Sequence, residues 1–147
     1  MSLKIIHTAD WHLGQTFFGY DRDEEHEAFL SWLIDILTLR QTDVLLIAGD
    51  VFDVANPSAA AQRRFFRFLR EANRHNPQLQ IVIIAGNHDS AARLEAPIPL
   101  LEELNTSIVG VVPRTDLCKI DFDSLLIPLY NKEGKREAIC LAVPYLR

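Results

Sequence analysis

The sequence predicts an α/β fold in which parallel strands are followed by a β-rich second part. Three apolar runs have the composition of buried strands, helical patterns separate them, and a short polar cluster follows each one. The runs cover residues 3–6, 44–48 and 81–85. The clusters recur at intervals of 40 and 37 residues (positions 10, 50 and 87), which fits a strand, a crossover helix and the next parallel strand. Because ligands bind outside the carboxyl ends of parallel strands, the clusters should meet at one edge of the sheet.

Length and composition predict a single soluble domain. The chain has 147 residues, of which 48% are hydrophobic and 24% charged, close to the average soluble protein. No apolar run approaches the ~20 residues that span a bilayer, and a strand pattern that begins by Leu3 leaves no room for a secretory signal. Cys118 and Cys140 form no C-x-x-C pair, so neither a zinc cluster nor a disulfide framework is indicated. We expect a cytoplasmic protein without a membrane partner.

The net charge of −5 argues against a broad basic surface for nucleic acid. Four aspartates, however, fall inside the polar clusters, where bound cations would offset their charge. They are Asp10, Asp50, Asp53 and Asp89. The acidic composition therefore weakens a DNA-binding interpretation without excluding it.

Two helices are predicted between the three apolar runs. The first begins in the charged segment 21–27, and apolar residues then recur at helical spacing from Phe29 to Leu37. The second begins with Asn56 as its N-cap and Pro57 at its first helical position, and it ends at Asn76 because a proline follows. These are the crossover helices that a parallel sheet requires.

The second predicted helix carries two stripes. Its apolar stripe consists of Phe65, Leu69 and Ala72, with Phe68 near the edge. The opposite stripe consists of Arg63, Arg67, Arg70 and Arg74. A solvated outer face explains the arginines, while a contact to a phosphate backbone or to a partner protein is the open alternative.

The pattern changes after the third run. Segment 91–105 predicts a loop or short turn and then a helix starting near residues 98–100, because Pro97 and Pro99 disfavour an earlier start. Four short strands separated by turn residues predict an antiparallel or mixed second sheet. They cover residues 108–112, 117–120, 125–129 and 138–143.

The three clusters together predict a metal site. Asp10 and His12 are two residues apart, so their side chains start on the same side at a strand end. Asp50 follows a glycine at the second strand end, and its two oxygens can bridge two cations. Asn87 holds the same position at the third and offers a neutral oxygen ligand. Oxygen and nitrogen ligands without thiolate favour manganese, iron, magnesium or zinc, and a pair of such ions would form a phosphoesterase site.

The remaining cluster residues suggest proton transfer. His88, beside Asn87, is the candidate for protonating a leaving oxygen or stabilising charge, and Asp53 could orient it. Asp89 either supports a metal ligand through a hydrogen bond or turns the loop. The histidines outside the clusters lack such neighbours, and we expect no chemical role for them. They are His7, His26 and His75.

These residues resemble those of the calcineurin-like metallophosphoesterase superfamily. The shared motifs are Asp10-x-His12, Gly49-Asp50-x-x-Asp53 and Gly86-Asn87-His88-Asp89. Within the superfamily, the longer segments are similar to the SbcD-type nuclease subunits of bacteria. Those segments are His7–Gln15, Ala48–Asp53, Ala85–Ser90 and Val143–Arg147.

The resemblance implies a two-layer β-sandwich flanked by helices (αββα), which is C-terminally incomplete here. It also implies a manganese-dependent DNA endonuclease and exonuclease in DNA repair and recombination, a homodimer, and an SbcC-type ATPase partner. By the same resemblance, Asp10 and His12 bind the first ion, Asp50 bridges and Asn87 binds the second. His88 then acts on the scissile phosphodiester, with Asp53 behind it.

The chain departs from the family in one respect. Family members have further histidine ligands downstream, whereas no histidine follows His88 in this sequence. The first ion keeps three protein ligands (Asp10, His12, Asp50) and the second only two (Asp50, Asn87). We therefore expect residues 1–147 to be the N-terminal part of a longer nuclease domain that binds metal weakly and cleaves poorly as a fragment.

Two other functions remain open. One is a nucleotide phosphodiesterase on the same fold, and the other is a module without catalysis that serves dimerisation or docking to the ATPase. A dimer surface is suggested by five residues that could equally be core. They are Phe65, Phe66, Leu100, Leu101 and Leu104.

Overall fold

The computed structural model describes residues 2–116 and 119–146, apart from the side chains of Leu100 and Glu102. The strands are β1 (Ile5–Thr8), β2 (Thr16–Phe17), β3 (Tyr20–Asp21), β4 (Val44–Ala48), β5 (Gln80–Ile84), β6 (Thr106–Val109), β7 (Leu126–Tyr130) and β8 (Arg136–Leu141). The helices are α1 (Asp23–Leu39), α2 (Ala59–His75), α3 (Ala91–Glu95) and α4 (Ile98–Leu101), and short 3₁₀ helices cover Glu102–Leu104 and Asp123–Leu125.

Four strands form a parallel sheet in the order β1-β4-β5-β6. Helix α1 connects β1 to β4 and α2 connects β4 to β5, so the predicted α/β class and crossover helices are confirmed. The prediction of a buried first strand is wrong, since Ile5 is 45% exposed. Within the described residues β1 pairs only with β4, which makes it an edge strand.

The central strands are buried on both faces because each face packs on a different layer. Leu45 and Ile47 of β4 lie in the core formed with the helices, whereas Val44 and the half-buried Leu46 lie in the core shared with the second sheet. That second sheet is the antiparallel pair β7-β8. Gln80 joins the two sheets, since its Nε2 donates to the Pro128 carbonyl at 2.7 Å and its Oε1 accepts from the Tyr130 amide at 3.1 Å. The predicted packing of two sheets with helices outside is thus observed.

Helix α2 begins two residues later than predicted. Ser58 is its N-cap, with Oγ accepting from the Ala61 amide at 3.1 Å, whereas Asn56 and Pro57 precede the helix. A serine in extended conformation with a free amide three residues on satisfies one of the unpaired donors of the first turn. The end of the helix at Asn76 is confirmed.

The two stripes of α2 divide as the periodicity predicts. The apolar residues Phe65, Phe68, Leu69 and Ala72 are buried, and the arginines of the opposite stripe lie on the outer side of the helix. Arg64, between the stripes, is buried instead and joins the helices through Asp23 (2.8 Å) and Glu27 (2.9 Å) of α1.

The suggested dimer surface consists largely of core residues. Phe65 and Leu101 are buried, and Phe66 and Leu104 pack half-buried against the same core. The side chain of Leu100 lies outside the described part. The alternative of core packing is therefore the one observed for these residues.

Two predictions for the segment after β5 are wrong. Helix α3 forms over residues expected to be a loop, because Pro97 excludes a helix only at and just before its own position. Strand β6 joins the first sheet parallel to β5 and not the second sheet. Its Ile108 and Val109 are buried in different cores, so it continues the layered pattern of β4 and β5.

The second sheet has the predicted antiparallel pairing. Strands β7 and β8 correspond to the runs 125–129 and 138–143. The run 117–120 falls partly outside the described residues, as does Cys118, and Ile120 makes a single bridge with Arg114. Among the described residues, no helix has the length and apolar character needed to cross a bilayer.

A small hairpin was not predicted. Strands β2 and β3 pair through a two-residue turn at Phe18 and Gly19, both with positive φ (51° and 83°). Two positive φ values define the turn type that matches strand twist, with glycine favoured in it. The strands are only two residues long, too short for any alternation of polar and apolar residues to be recognised.

Candidate metal centre

The loops after β1 and β4 are joined along their backbones at the carboxyl edge of the sheet. The amide of Asp10 donates to the Gly49 carbonyl (3.1 Å), that of His12 to the Asp50 carbonyl (3.0 Å) and that of Leu13 to Val51 (2.9 Å). The first two polar clusters therefore meet, as the strand order predicts.

The third cluster is attached to the second through Asp89. Its buried carboxylate accepts backbone hydrogen bonds from Val51 (3.2 Å) and Phe52 (3.0 Å) of the second cluster and from Gly86 (2.9 Å) of its own loop. A buried carboxylate is stable only when its oxygens are well hydrogen-bonded, and this one holds two loops together. Asp89 thus has a positioning role, which the sequence left open.

Three predicted metal ligands have left-handed backbones. The φ angles are 56° at Asp10, 47° at His12 and 49° at Asp50, and Gly49 has φ 90°. Aspartate and histidine tolerate this region better than most side chains, yet each instance carries strain. Strain of this kind collects where the surrounding structure fixes functional side chains, which is consistent with ligands held in advance of metal binding.

Gly49 and Gly86 allow the second and third loops to touch. A Cβ on Gly49 would lie 2.9 Å from the Cα of Gly86, and a Cβ on Gly86 would lie 2.1 Å from Oδ1 of Asp50. The first glycine also provides the predicted tight turn, whereas the second is required because it leaves room for the Asp50 carboxylate.

Asp10, His12 and Asp50 form a group that fits a divalent ion. Nε2 of His12 lies 3.9 Å from both Oδ1 of Asp10 and Oδ2 of Asp50, and one ligand atom from each residue lies within 4.8 Å of the others. Two carboxylates and an imidazole are suitable ligands for a hard or borderline cation. The predicted ligands of the first ion are therefore brought together.

Asn87 lies between two residues that both contact Asp50. Gly86 packs against its carboxylate, and the amide of His88 donates to Oδ1 at 3.0 Å. Asn87 is exposed at the same edge. It occupies the position expected of a ligand to a second ion that shares Asp50.

Asp53 contacts both histidines of the site, through different groups. Its backbone carbonyl lies 2.7 Å from Nδ1 of His88, so it lies behind His88 as expected but not by its side chain. Its carboxylate instead lies 3.2 Å from Nδ1 of His12. This second contact was not predicted, because residues 41 positions apart in the sequence show no periodic relationship.

His88 is exposed and lies edge-on to the His12 ring, with ring centroids 4.9 Å apart. The hydrogen bond to the Asp53 carbonyl raises the pKa of His88, and the nearby carboxylates of Asp50, Asp53 and Asp89 act in the same direction. A carbonyl only accepts, so Nδ1 carries the proton and Nε2 is the nitrogen left for other contacts. The protonated imidazole is therefore favoured.

Trp11 supports the first cluster from below. It is buried, its Nε1 donates to Oγ1 of Thr8 at 3.0 Å, and its ring packs edge-on against Phe65 and Phe68 of α2. Beside it, Asp10 and His12 line an open cleft of about 340 Å³ whose far wall includes Arg22 and Glu25. These wall residues were not singled out from the sequence, because they come from the start of α1.

Comparison with known proteins gives the same assignment as the geometry. Residues 3–137 match the family model described as calcineurin-like phosphoesterase. Similar relatives are named as the SbcD subunit of the nuclease SbcCD, and that of Rhodobacter capsulatus is 50% identical over 99% of this chain and 36% of its own length. Those of Escherichia coli K12 (38% identical, 82% of this chain, 33% of that protein) and Bacillus subtilis (39%, 83%, 31%) are also similar.

The chain spans about a third of the length of these relatives. The match to the family model nevertheless covers nearly all of it, including the three clusters that meet at the sheet edge. This chain belongs to the calcineurin-like phosphoesterase family.

Proposed function

We propose that this chain provides part of the two-metal centre of a phosphodiesterase that cleaves DNA. The observation that carries the proposal is the group formed by Asp10, His12 and Asp50, whose ligand atoms lie within 4.8 Å of one another beside His88. The relatives named as SbcD subunits of the nuclease SbcCD support a nucleic-acid substrate.

The ligands divide between two ions. Asp10 and His12 hold the first, Asp50 bridges, and Asn87 holds the second. Ions bound in this way polarise a phosphoryl group and make a water molecule more acidic. Manganese is the metal that the resemblance favours, with magnesium, iron and zinc as alternatives.

His88 is proposed to act on the leaving group. The hydrogen bond to the Asp53 carbonyl raises its pKa and keeps the imidazole protonated nearer to neutral pH. In that form it can donate a proton to the leaving oxygen or stabilise its negative charge.

The wider assignments are also proposals. The share of the relatives that the chain covers supports residues 1–147 as the N-terminal part of a longer nuclease domain. The name of those relatives supports an SbcC-type ATPase as partner, acting with it on DNA. A homodimer and a cytoplasmic location stay predictions from the sequence.

Manganese titration by calorimetry tests the metal centre directly. We expect the purified chain to bind Mn²⁺ and the Asp50→Asn variant to lose at least about tenfold in affinity, because Asp50 is the ligand shared by both ions. The Asp35→Asn variant removes the same charge from the outer surface of α1 and serves as control. Equal affinity in all three proteins would refute the proposed centre.

Cleavage assays test the substrate. Labelled single-stranded and hairpin DNA should be cut in the presence of Mn²⁺ in preference to a cyclic nucleotide, and His88→Gln should abolish cutting. The longer protein encoded by the gene should cleave faster than the 147-residue chain, if downstream ligands complete the second ion's site. Preferred hydrolysis of the cyclic nucleotide would support the nucleotide phosphodiesterase instead, and tight metal binding without any cleavage by the longer protein would support a module without catalysis.

A further inference from the structure

Two different groups of Asp53 face the two histidines of the site. Its Oδ1 lies 3.2 Å from Nδ1 of His12, and its backbone carbonyl lies 2.7 Å from Nδ1 of His88. Because the carboxylate and the carbonyl have different partners, substitutions of the side chain can separate their roles.

We propose that the Asp53 carboxylate positions the metal ligand His12, while His88 is held by the backbone. This rests on the proposed function, since it assigns His12 to the first ion. An acceptor at Nδ1 keeps the proton of the imidazole on that nitrogen and leaves Nε2 as the ligand atom. Metal-binding histidines generally have such an acceptor on their second nitrogen, which fixes the ring and increases its basicity.

The orientation of the His12 ring supports this assignment. Nε2 faces the other two ligands of the first ion, at 3.9 Å from both Asp10 and Asp50, and Nδ1 faces Asp53. A ring turned over by half a rotation would exchange the two nitrogens and direct the protonated one at the carboxylate ligands. The Asp53 carboxylate therefore selects between two rotamers of the ligand.

The burial of Nδ1 gives this selection its strength. The nitrogen is shielded from solvent, and the 3.2 Å contact with Asp53 has the distance of a hydrogen bond but not its alignment. A small rotation of the imidazole about its own axis, of the kind that metal binding at Nε2 requires, would align the N–H with the carboxylate. A buried N–H without an acceptor costs about 1–3 kcal/mol, so the carboxylate favours the ring orientation that uses it.

The backbone holds the carboxylate and the ring in register. The Asp53 amide donates to the Leu13 carbonyl at 3.3 Å, and the Leu13 amide donates to Val51 at 2.9 Å. Within the described residues, His12 is the only basic side chain within 4.0 Å of the Asp53 carboxylate. At 27% exposure this carboxylate is only partly solvated, so its attraction to an N–H is less screened than on an open surface.

His88 does not depend on that carboxylate. Its Nδ1 faces the Asp53 carbonyl and its own amide donates to Asp50 at 3.0 Å, so both contacts survive a change of the Asp53 side chain. The Asp53→Asn variant should therefore alter His12 and metal binding while leaving His88 in place. A carboxylate that served His88 would give the opposite result.

The first test needs no variant. Nitrogen-15 NMR of the metal-free chain, at a pH where both imidazoles are neutral, reports which ring nitrogen carries the proton. We expect the Nδ1–H tautomer for His12. The Nε2–H tautomer at His12 would overturn the proposal.

The second test compares Asp53→Asn with Asp35→Asn, which removes the same charge from the outer surface of α1. By calorimetry we expect Mn²⁺ affinity to fall about 10- to 100-fold in Asp53→Asn and to stay within about twofold in the control. In Asp53→Asn the NMR signals of His12 should move and those of His88 should not. Circular dichroism confirms that both variants are folded.

The outcomes separate this proposal from the function beneath it. A wild-type chain that binds no Mn²⁺ would refute the metal centre itself. Wild-type binding with equal affinity in Asp53→Asn, or a shift confined to the His88 signals, would refute the positioning role alone.

Discussion

The backbone amide of His88 donates a hydrogen bond to Oδ1 of Asp50 at 3.0 Å. This contact joins the loop after β5 to the residue proposed to bridge both ions. One oxygen of the Asp50 carboxylate is thereby fixed, while Oδ2 faces His12 at 3.9 Å. The orientation of the bridging ligand depends on how closely the third loop approaches the second.

Gly86→Ala should disturb that approach. A Cβ at this position would lie 2.1 Å from Oδ1 and 2.4 Å from the backbone nitrogen of Asp50, so the loops must separate. We expect Mn²⁺ affinity to fall about tenfold or more, measured by calorimetry. Metal affinity equal to that of the wild type would show that the close approach does not position Asp50.

Gly134→Ala is the matched control for that substitution. Its added Cβ would meet no atom within 4 Å, but φ is +74°, so the backbone is strained. We expect a loss of about 1–2 kcal/mol in the free energy of unfolding with unchanged Mn²⁺ affinity. The pair distinguishes a general loss of stability from displacement of Asp50.

Asp89→Asn should destabilise the fold. The carboxylate accepts from three backbone amides, and the amide group of asparagine would turn an N–H donor towards at least one of them. We expect the free energy of unfolding in urea to fall by about 1.5–3 kcal/mol, the range for hydrogen bonds to charged groups. The surface variant Asp35→Asn should change it by less than about 0.5 kcal/mol. Equal effects of the two substitutions would contradict the joining role of Asp89.

His26 should make the protein less stable in mild acid. Burial lowers the pKa of His26, and Arg22 and Arg64 act in the same direction. The unfolded chain then binds more protons at this residue than the folded protein, so stability is lost as the pH falls below the ordinary histidine value of about 6.5 towards the lower folded pKa.

Urea unfolding at two pH values, one about a unit above and one about a unit below the ordinary histidine pKa, measures this effect. The difference between the two midpoints should be smaller in His26→Leu than in the wild type, because the leucine has no proton to bind. His75→Gln removes an exposed histidine at the end of α2 and should keep the wild-type difference. A His26→Leu variant with the full difference would assign the acid sensitivity to other groups.

Ser58→Ala tests where α2 begins. The substitution removes the acceptor of the Ala61 amide, so we expect a loss of about 1 kcal/mol in the free energy of unfolding. Asn56→Ala should change it by less than about 0.5 kcal/mol, since Asn56 lies outside the helix. The reverse order of the two effects would restore Asn56 as the cap.

Much of the fold could be predicted from the sequence because the signals are local. The apolar runs of β4 and β5, the periodicity of α1 and α2, and the proline after Asn76 each act over a few residues. The interval between the clusters then implied parallel strands whose carboxyl ends share an edge. The same reasoning placed Asp10, His12 and Asp50 together.

Other features could not be predicted because they depend on contacts between distant residues. Strand β6 has a short apolar run that suits either sheet, and only the burial of Ile108 and Val109 in different cores assigns it to the first. The edge position of β1 likewise depends on which strands pair, and not on its own composition.

The sequence by itself determined which residues are available as ligands and which strand ends carry them, because residue type and spacing are local properties. Only the tertiary structure decided how those side chains are oriented. The Asp53 carboxylate faces His12 and its carbonyl faces His88, because the loops after β1, β4 and β5 are joined by backbone hydrogen bonds and by two glycines in contact. Such contacts join residues about 40 positions apart, and no local pattern encodes them.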